Sequence, residues 1–305
     1  MYEILSNREI IKIIGLDSVK FLQNLITNDI CKSSYCYAYL LNNQGRYLFD
    51  FFVYVHNLEE IYLDIDKSNK ATLIEHLNFY KFRSKIQIID CSEEYKIVYS
   101  HQKLDIDTLV TSRDPRYSKL GFRSILSSRG PSTGSRNTGT QDWIPWRGHG
   151  MTEMESIHAT PSPPCHSRES ENPASLYLED KYNFAIIDGV EDLITDKSIP
   201  NMYGAEELKA ISFDKGCYVG QEVISRAKYQ GVIRRRIYKV IADEDLSLLV
   251  KDEDILASNE KIGVICSSYR NKAIALIREE KYLVCKKSDI TVKGIKINLS
   301  LAPWY

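Results

Sequence analysis

Two apolar patterns alternate through the first ninety residues. Runs rich in Ile, Tyr, Phe, Leu and Val predict strands at 9–14, 35–55, 61–65 and 86–89, the second broken into a hairpin at 42–45 by Asn-Asn-Gln-Gly. Apolar residues at helical spacing follow Ser18 and recur within 68–80, which predicts two helices. This alternation is typical of an α+β fold.

The pattern changes towards the C-terminus. Residues 181–191 are predicted to form a short strand and residues 205–208 a helical turn, with a helix beginning near Gly220. Beyond Gly231 the pattern is β throughout. Short strands are predicted at 232–241, 246–250, 262–266, 273–277, 282–285 and 290–299. Their regular spacing predicts a small antiparallel β-barrel.

The segment 123–175 differs in composition from the rest of the chain. It contains no Lys and no Tyr, although the chain has 20 Tyr, and it holds six of the nine Pro. Such a segment has too little periodic apolar surface to offset the entropy lost on ordering, so we predict a disordered insert in a surface loop. His149, His158, Cys165 and His166 lie within it at spacings that match no common metal site.

Charge and cysteine content exclude several classes of protein. The 40 basic and 41 acidic residues give a net charge of -1, so direct binding of nucleic acid is not expected. No apolar run approaches the length of a membrane helix, and no secretory or transit signal opens the chain, which predicts a cytoplasmic protein. The seven cysteines form no C-x-x-C pair, so we expect reduced thiols and no metal site.

The residues from 215 to 222 read Lys-Gly-Cys-Tyr-Val-Gly-Gln-Glu and carry the main candidate chemistry. Gly216 and Gly220 permit tight backbone geometry. A helix beginning near Gly220 would direct free N–H groups towards Cys217. The positive charge of Lys215 would also favour the thiolate form of Cys217 over the thiol. Alternatively, Cys217 is simply a small buried residue. The loop is also able to offer backbone donors to an anionic or heteroaromatic ligand, with Tyr218 as a stacking face.

This segment resembles the signature K-G-C-Y-x-G-Q-E of the folate-binding YgfZ family. These proteins are relatives of the glycine-cleavage aminomethyltransferase (T-protein), and they act in iron–sulfur cluster assembly and repair. The match continues from Arg226 to Gly231, which is similar to the family's R-x-K-x-x-G extension. Phe21–Asp29 resembles its F-L-Q-x-L-x-T-N-D element, and Ile199–Met202 is a looser third match.

The resemblance implies a three-domain ring with tetrahydrofolate, or a derivative of it, in a central cavity. The predicted divisions are a discontinuous N-terminal folate-binding domain (1–48 and 176–231), a middle α+β domain (49–122), the insert (123–175) and the C-terminal barrel (232–305). The implied partners are folate and either iron–sulfur client enzymes or cluster carriers. No feature of the chain indicates an oligomeric state.

The resemblance also assigns site residues. Cys217 is the signature thiol, and its molecular role is left open. The predicted folate contacts are Lys215, Gly216, Tyr218, Gly220, Gln221, Glu222, Arg226 and Asp50. For Asp50 the alternative is an exposed acid at a strand end.

Two other functions are compatible with the same resemblance. The first is aminomethyl transfer to tetrahydrofolate, for which T-proteins typically use two adjacent acids in the hairpin that follows a glycine. Here Phe49 precedes Asp50 in place of one acid, and a phenyl ring cannot accept a proton, so a non-enzymatic maturation factor is favoured. The second is a role in tRNA modification through iron–sulfur enzymes.

Overall fold

The structure is a computed structural model that describes residues 1–128, 175–231, 234–285 and 289–305. Most of the predicted insert, with its three histidines and Cys165, therefore lies outside the described residues.

The described residues form fifteen strands, six α-helices and two short 3₁₀ helices, Lys67–Asn69 and Pro200–Tyr203. The strands are Glu3–Ile4 (β1), Arg8–Ile14 (β2), Tyr35–Leu41 (β3), Tyr47–Asn57 (β4), Glu60–Asp66 (β5), Gln87–Asp90 (β6), Tyr95–Ser100 (β7), Val110–Arg113 (β8), Phe122–Ser127 (β9), Arg235–Ala242 (β10), Asp254–Ala257 (β11), Glu260–Tyr269 (β12), Lys272–Arg278 (β13), Ile290–Val292 (β14) and Ile295–Leu301 (β15). The helices are Ser18–Gln23 (α1), Lys70–Lys81 (α2), Leu176–Phe184 (α3), Gly189–Asp192 (α4), Gln221–Tyr229 (α5) and Glu279–Cys285 (α6).

An antiparallel five-stranded sheet in the order β3-β4-β5-β2-β6 separates two hydrophobic cores. Strand β4 shows how the sheet contributes to both cores, because side chains alternate between the two faces of a strand. Phe52 and Tyr54 enter one core, whereas Phe51 and Val53 enter the other. With both faces covered, β4 reads as an almost continuous apolar run. The predicted strands and hairpin in this region are confirmed.

A four-stranded sheet in the order β1-β7-β9-β8 lies beside one of these cores. Its strand β9 includes the first residues of the predicted insert, and Arg123 is buried there against Asp64. The ordered chain therefore continues past 123. The other domain divisions stay predictions. The five-stranded sheet takes strands from both sides of the predicted boundary at residue 48.

The C-terminal strands close into a barrel in the order β10-β13-β12-β11-β14-β15. This confirms the predicted antiparallel barrel, although β11 was not predicted. The predicted strand at 246–250 is wrong, because the Asp245 carboxylate accepts the Ser247 N–H and sets up a turn. The strand at 282–285 is also wrong, since these residues end helix α6, whose first turn carries Glu279 and Glu280.

The strand predicted at 181–191 is replaced by helices α3 and α4. Helix α3 begins after Ser175, whose hydroxyl accepts the Leu178 N–H and caps the helix. Lys181 then lies buried beside carboxylates from α4, an arrangement that a strand pattern does not reveal. In the described part of the chain, no helix combines the length and apolar character needed to cross a membrane.

Candidate functional site

Lys215 anchors one end of the signature loop. Its Nζ is buried and donates hydrogen bonds to the carbonyl oxygens of Gln23, Ile26 and Asn28, at 2.7, 2.6 and 2.8 Å. Helix α1 ends at Gln23, where carbonyl groups lack partners within the helix. Burial lowers the pKa of Lys215 to about 8, so at pH 7 the ammonium keeps the three protons that these bonds need.

The same contacts join two of the motifs on which the resemblance depends. Residues of the Phe21–Asp29 element also hold the chain just before the loop. The Thr27 hydroxyl donates to the Ala210 carbonyl at 2.7 Å, and the Asn28 amide donates to the Lys209 carbonyl at 2.7 Å. Lys215 is therefore a structural anchor, and its ammonium is not directed at a ligand.

Gly220 fixes the other end of the loop. Its φ of +82° is a conformation that favours glycine, and a Cβ there would lie 2.7 Å from the Asn42 carbonyl oxygen and 3.0 Å from Gly45 Cα. The loop thus packs closely on the β3–β4 hairpin turn, and α5 begins at the next residue. The helix start predicted near Gly220 is confirmed.

Between these anchors Cys217 is exposed, and its thiol is free of any disulfide. The two following residues hold the loop down, since Tyr218 enters one core of the five-stranded sheet and Val219 packs against the other. Gly216 has open space where a side chain would be. The alternative that Cys217 is a small buried residue is wrong, because its neighbours fill the core and leave the thiol outside.

The structure does not gather the other predicted folate contacts of the loop around one cavity. Tyr218 is buried, so its ring is not an open stacking face, and its hydroxyl has no hydrogen-bond partner in the described chain. Glu222 and Arg226 form an ion pair of 2.7 Å on the exposed surface of α5. Gln221, the first residue of that helix, is half-buried.

Asp50 lies in a different place, inside the molecule. Its carboxylate accepts hydrogen bonds from the hydroxyls of Tyr37 and Tyr47, at 2.9 and 2.7 Å, and the residue is only 2% exposed. The alternative of an exposed strand-end acid is therefore wrong. At Gly189 a Cβ would lie 2.0 Å from Asp50 Oδ1, so only glycine allows helix α4 to approach this carboxylate.

Phe49, which stands where T-proteins typically have a second acid, faces away from Asp50. Its ring packs 5.5 Å from the His76 ring, between centroids, in the core on the other face of β4. Phe49, in place of an acid, thus contributes an apolar side chain to that core.

A small cavity lies beside Asp50, one of the predicted folate contacts, and it is the candidate for the central cavity that the resemblance implies. It has a volume of about 10 Å³, and none of the residues that line it belongs to the signature loop. A space of this size holds about one water molecule, whereas pockets for drug-sized ligands are on the order of 300–1,000 Å³. A folate is therefore too large for this cavity unless the side chains around it are displaced.

Buried ion pairs occupy the space around this cavity. Asp64 pairs with Arg8 and Arg123 at 2.6 and 2.8 Å. Asp188 pairs with Arg116 and Lys181 at 2.6 and 3.4 Å. Burial by itself would raise the pKa of Asp64, but the charges of Arg123 and Arg8 outweigh it and hold that pKa below its usual value.

Sequence reasoning did not identify this network, because its members are distributed from residue 8 to residue 192 and form no local motif. An acid within an otherwise apolar strand, such as Asp64 in β5, was the available signal. Over the ranges that the structure describes, no three His, Cys, Asp or Glu side chains are placed to hold a metal ion.

Comparison with known proteins supports the fold. Residues 234–305 match the family described as CAF17, C-terminal beta-barrel domain. The crystal structure of glycine cleavage system aminomethyltransferase T from Bartonella henselae superposes with a TM-score of 0.64, covering 100% of this chain and 86% of that one at 12% identity. The chain therefore has an aminomethyltransferase-like fold of mixed α and β structure with a closed six-stranded barrel, as the sequence predicted.

Curated relatives are iron–sulfur cluster assembly factors. The chain is 28% identical over 290 residues to the mitochondrial factor IBA57 homolog of Aspergillus oryzae, covering 84% of this chain and 59% of that protein. It is 26% identical over 308 residues to human mitochondrial IBA57, covering 91% and 77% of the respective chains. The chain thus spans about three fifths of the length of the Aspergillus relative.

These relatives refine the predictions made from the sequence. A relationship to iron–sulfur cluster assembly factors is confirmed, whereas membership of the YgfZ family itself stays a prediction. The predicted cytoplasmic location is wrong on this comparison, because the named relatives are mitochondrial proteins.

Proposed function

We propose that this protein acts in iron–sulfur cluster assembly and that Cys217 contacts the cluster or the protein that carries it. The observation that carries the proposal is an exposed, free thiol on a loop that is anchored at both ends. Cysteine thiolates are the usual protein ligands of iron–sulfur clusters. The names of the relatives point to the same process.

Anchoring matters because a ligand for a cluster must be presented in a defined position. Lys215 ties the loop to the end of α1, and Gly220 packs it on the hairpin turn. Cys217 is thereby held at the surface, and it forms no disulfide within the described residues. One thiol completes no cluster site, so the remaining ligands would come from the partner.

The test is replacement of Cys217 by serine in cells that lack their own factor and depend on this chain. We expect Cys217→Ser to abolish recovery of iron–sulfur enzyme activity while the purified variant melts at the same temperature as the unmodified chain, since the side chain is exposed. Cys31→Ser is the matched control, because Cys31 is also an exposed free cysteine.

Full recovery with Cys217→Ser would contradict the proposed role of the thiol. Failure of the unmodified chain, despite good expression, would contradict the role in cluster assembly itself.

Folate binding stays a prediction from the resemblance, and the size of the cavity beside Asp50 weighs against it. With Arg8, Asp50 and Arg123 in place, the cavity of about 10 Å³ has no room for a pterin ring. We expect calorimetric titration with tetrahydrofolate to show no saturable binding at concentrations up to on the order of 100 μM. Stoichiometric binding would show instead that these side chains move aside.

The relatives' names mention neither aminomethyl transfer nor tRNA modification. The carboxylate that remains from the transferase pattern, Asp50, is buried and bonded to two tyrosines. Cluster assembly is therefore the function with the better support.

A further inference from the structure

A groove lies at one end of the five-stranded sheet, and neither Cys217 nor the cavity beside Asp50 is part of it. Three segments contribute to its lining: the turn at Gly15, the β4–β5 turn with Asn57 and Glu59, and the segment that follows α2, with Lys81 and 84–87. Its volume is about 740 Å³, which is large enough for several side chains of a partner.

The segments are tied together by direct hydrogen bonds. The Gly15 N–H donates to the Glu59 carbonyl at 2.9 Å, and the Lys85 N–H donates to an Asp17 carboxylate oxygen at 2.8 Å. A Cβ at Gly15 would lie 2.1 Å from the Lys85 carbonyl oxygen. The contacts between these segments therefore give the groove a defined shape.

Large apolar side chains that adjoin lining residues along the chain stay in solvent. Leu16 and Leu58 belong to the two turns and are 68% and 78% exposed. Phe79 and Phe82 follow at the end of α2, 71% and 82% exposed, with their ring centroids 6.3 Å apart. Single exposed apolar residues need no explanation, but four in or next to the segments that form one groove are typical of an interaction surface.

Phe82 is also held in an unfavourable backbone conformation. Its φ is +41° and its ψ is -112°, a region that aromatic residues rarely adopt. The strain is not offset by burial of the ring, because the ring is exposed. Residues kept in such conformations are concentrated at functional sites.

The charged side chains that line the groove carry a positive excess of one. Three lysines line it, Lys12, Lys81 and Lys85, against two glutamates, Glu59 and Glu60. Lys12 is already paired with Glu60 at 2.6 Å.

Other cations at the groove lack partners. Within the described ranges of the chain, Lys81, Lys85 and the adjacent Arg83 have no carboxylate within ion-pair distance. The surface thus offers unpaired positive charge next to exposed apolar side chains.

We infer that this groove is the docking site for an acidic segment of a partner protein that carries at least one large apolar side chain. The acids pair with Lys81, Arg83 and Lys85, and the apolar side chain packs on Leu16 and Phe82. A groove of about 740 Å³ fits a protein segment better than a flat anionic bilayer, which would leave the groove empty. The inference does not depend on the proposed role of Cys217.

The experiment measures the fluorescence anisotropy of a labelled peptide with the repeat Glu-Leu-Glu-Glu as it binds the full chain. We expect the double variant Lys81→Glu/Lys85→Glu to weaken binding at least about tenfold and Phe82→Ser to weaken it about threefold. The matched control is Lys103→Glu/Lys119→Glu, which changes two exposed lysines of the four-stranded sheet's loops and alters the net charge equally.

A second peptide, Glu-Ser-Glu-Glu, has the same charge without the apolar side chain, and we expect it to bind more weakly. Equal loss of affinity in both double variants would overturn the inference, because it would show attraction by overall charge alone. Binding to phosphatidylglycerol vesicles without binding of the Glu-Leu-Glu-Glu peptide would also overturn it, in favour of a lipid surface. Circular dichroism checks that all variants are folded.

Discussion

At the scale of single residues, the signature motif identified the right segment but not the roles within it. Lys215 was expected to influence the thiol or a ligand, and it instead binds three carbonyl oxygens. Asp50 was expected to contact the ligand or to be exposed at a strand end. It instead lies buried between two tyrosine hydroxyls. The partners of Lys215 are 187 to 192 positions away along the chain, whereas the two tyrosines lie 13 and 3 positions from Asp50.

Lys215→Met tests the structural role of the ammonium. Methionine keeps most of the side-chain volume but leaves the carbonyls of Gln23, Ile26 and Asn28 without their donor. We expect the free energy of unfolding to fall by about 2–4 kcal/mol, because buried acceptors that lose a charged donor are costly. Urea denaturation followed by circular dichroism measures it.

Lys119→Met provides the comparison for that variant. This lysine is exposed, so the change in unfolding free energy should stay within about 0.5 kcal/mol. Equal stability of the two variants would mean that the Lys215 contacts contribute nothing.

At the scale of elements, the apolar pattern predicted most strands and the two helices of the first ninety residues. It failed for short amphipathic segments, where residues of α3 and α6 were taken for strands. A short apolar run is compatible with either structure, and the choice depends on helix caps and on what the segment packs against. Ser175 caps α3, and Lys181 of that helix is neutralised by acids of α4.

At the scale of the whole molecule, buried ion pairs connect parts of the chain that are distant in sequence. Asp64 in β5 binds Arg8 in β2 and Arg123 in β9, so one carboxylate links the two sheets. Asp188 joins Arg116 to Lys181 in the same way, linking the segment after β8 to helix α3. These side chains also fill the space around the cavity beside Asp50.

Asp64→Asn tests this network. The substitution leaves two buried guanidinium groups without their counter-charge, so we expect a loss of about 3–5 kcal/mol in unfolding free energy. Measurement of urea unfolding between pH 3 and pH 7 gives a second readout. Because the folded-state pKa of Asp64 lies below its unfolded value, its contribution is present above about pH 4 and is lost as the pH falls further.

The variant should therefore lose part of the acid dependence that the unmodified chain shows. An unchanged pH profile together with unchanged stability would indicate that the two arginines do not need this carboxylate.

The α+β pattern, the C-terminal barrel and the segment that presents Cys217 were predictable from the sequence, because they depend on local periodicity and on one contiguous motif. The fold was needed to show which polar residues are buried, how small the cavity beside Asp50 is and which segments form the groove at the end of the five-stranded sheet. These features arise between residues that are widely separated along the chain. Arg8 and Asp64 are 56 positions apart, and Arg116 and Asp188 are 72 positions apart. No local pattern contains both members of such a pair.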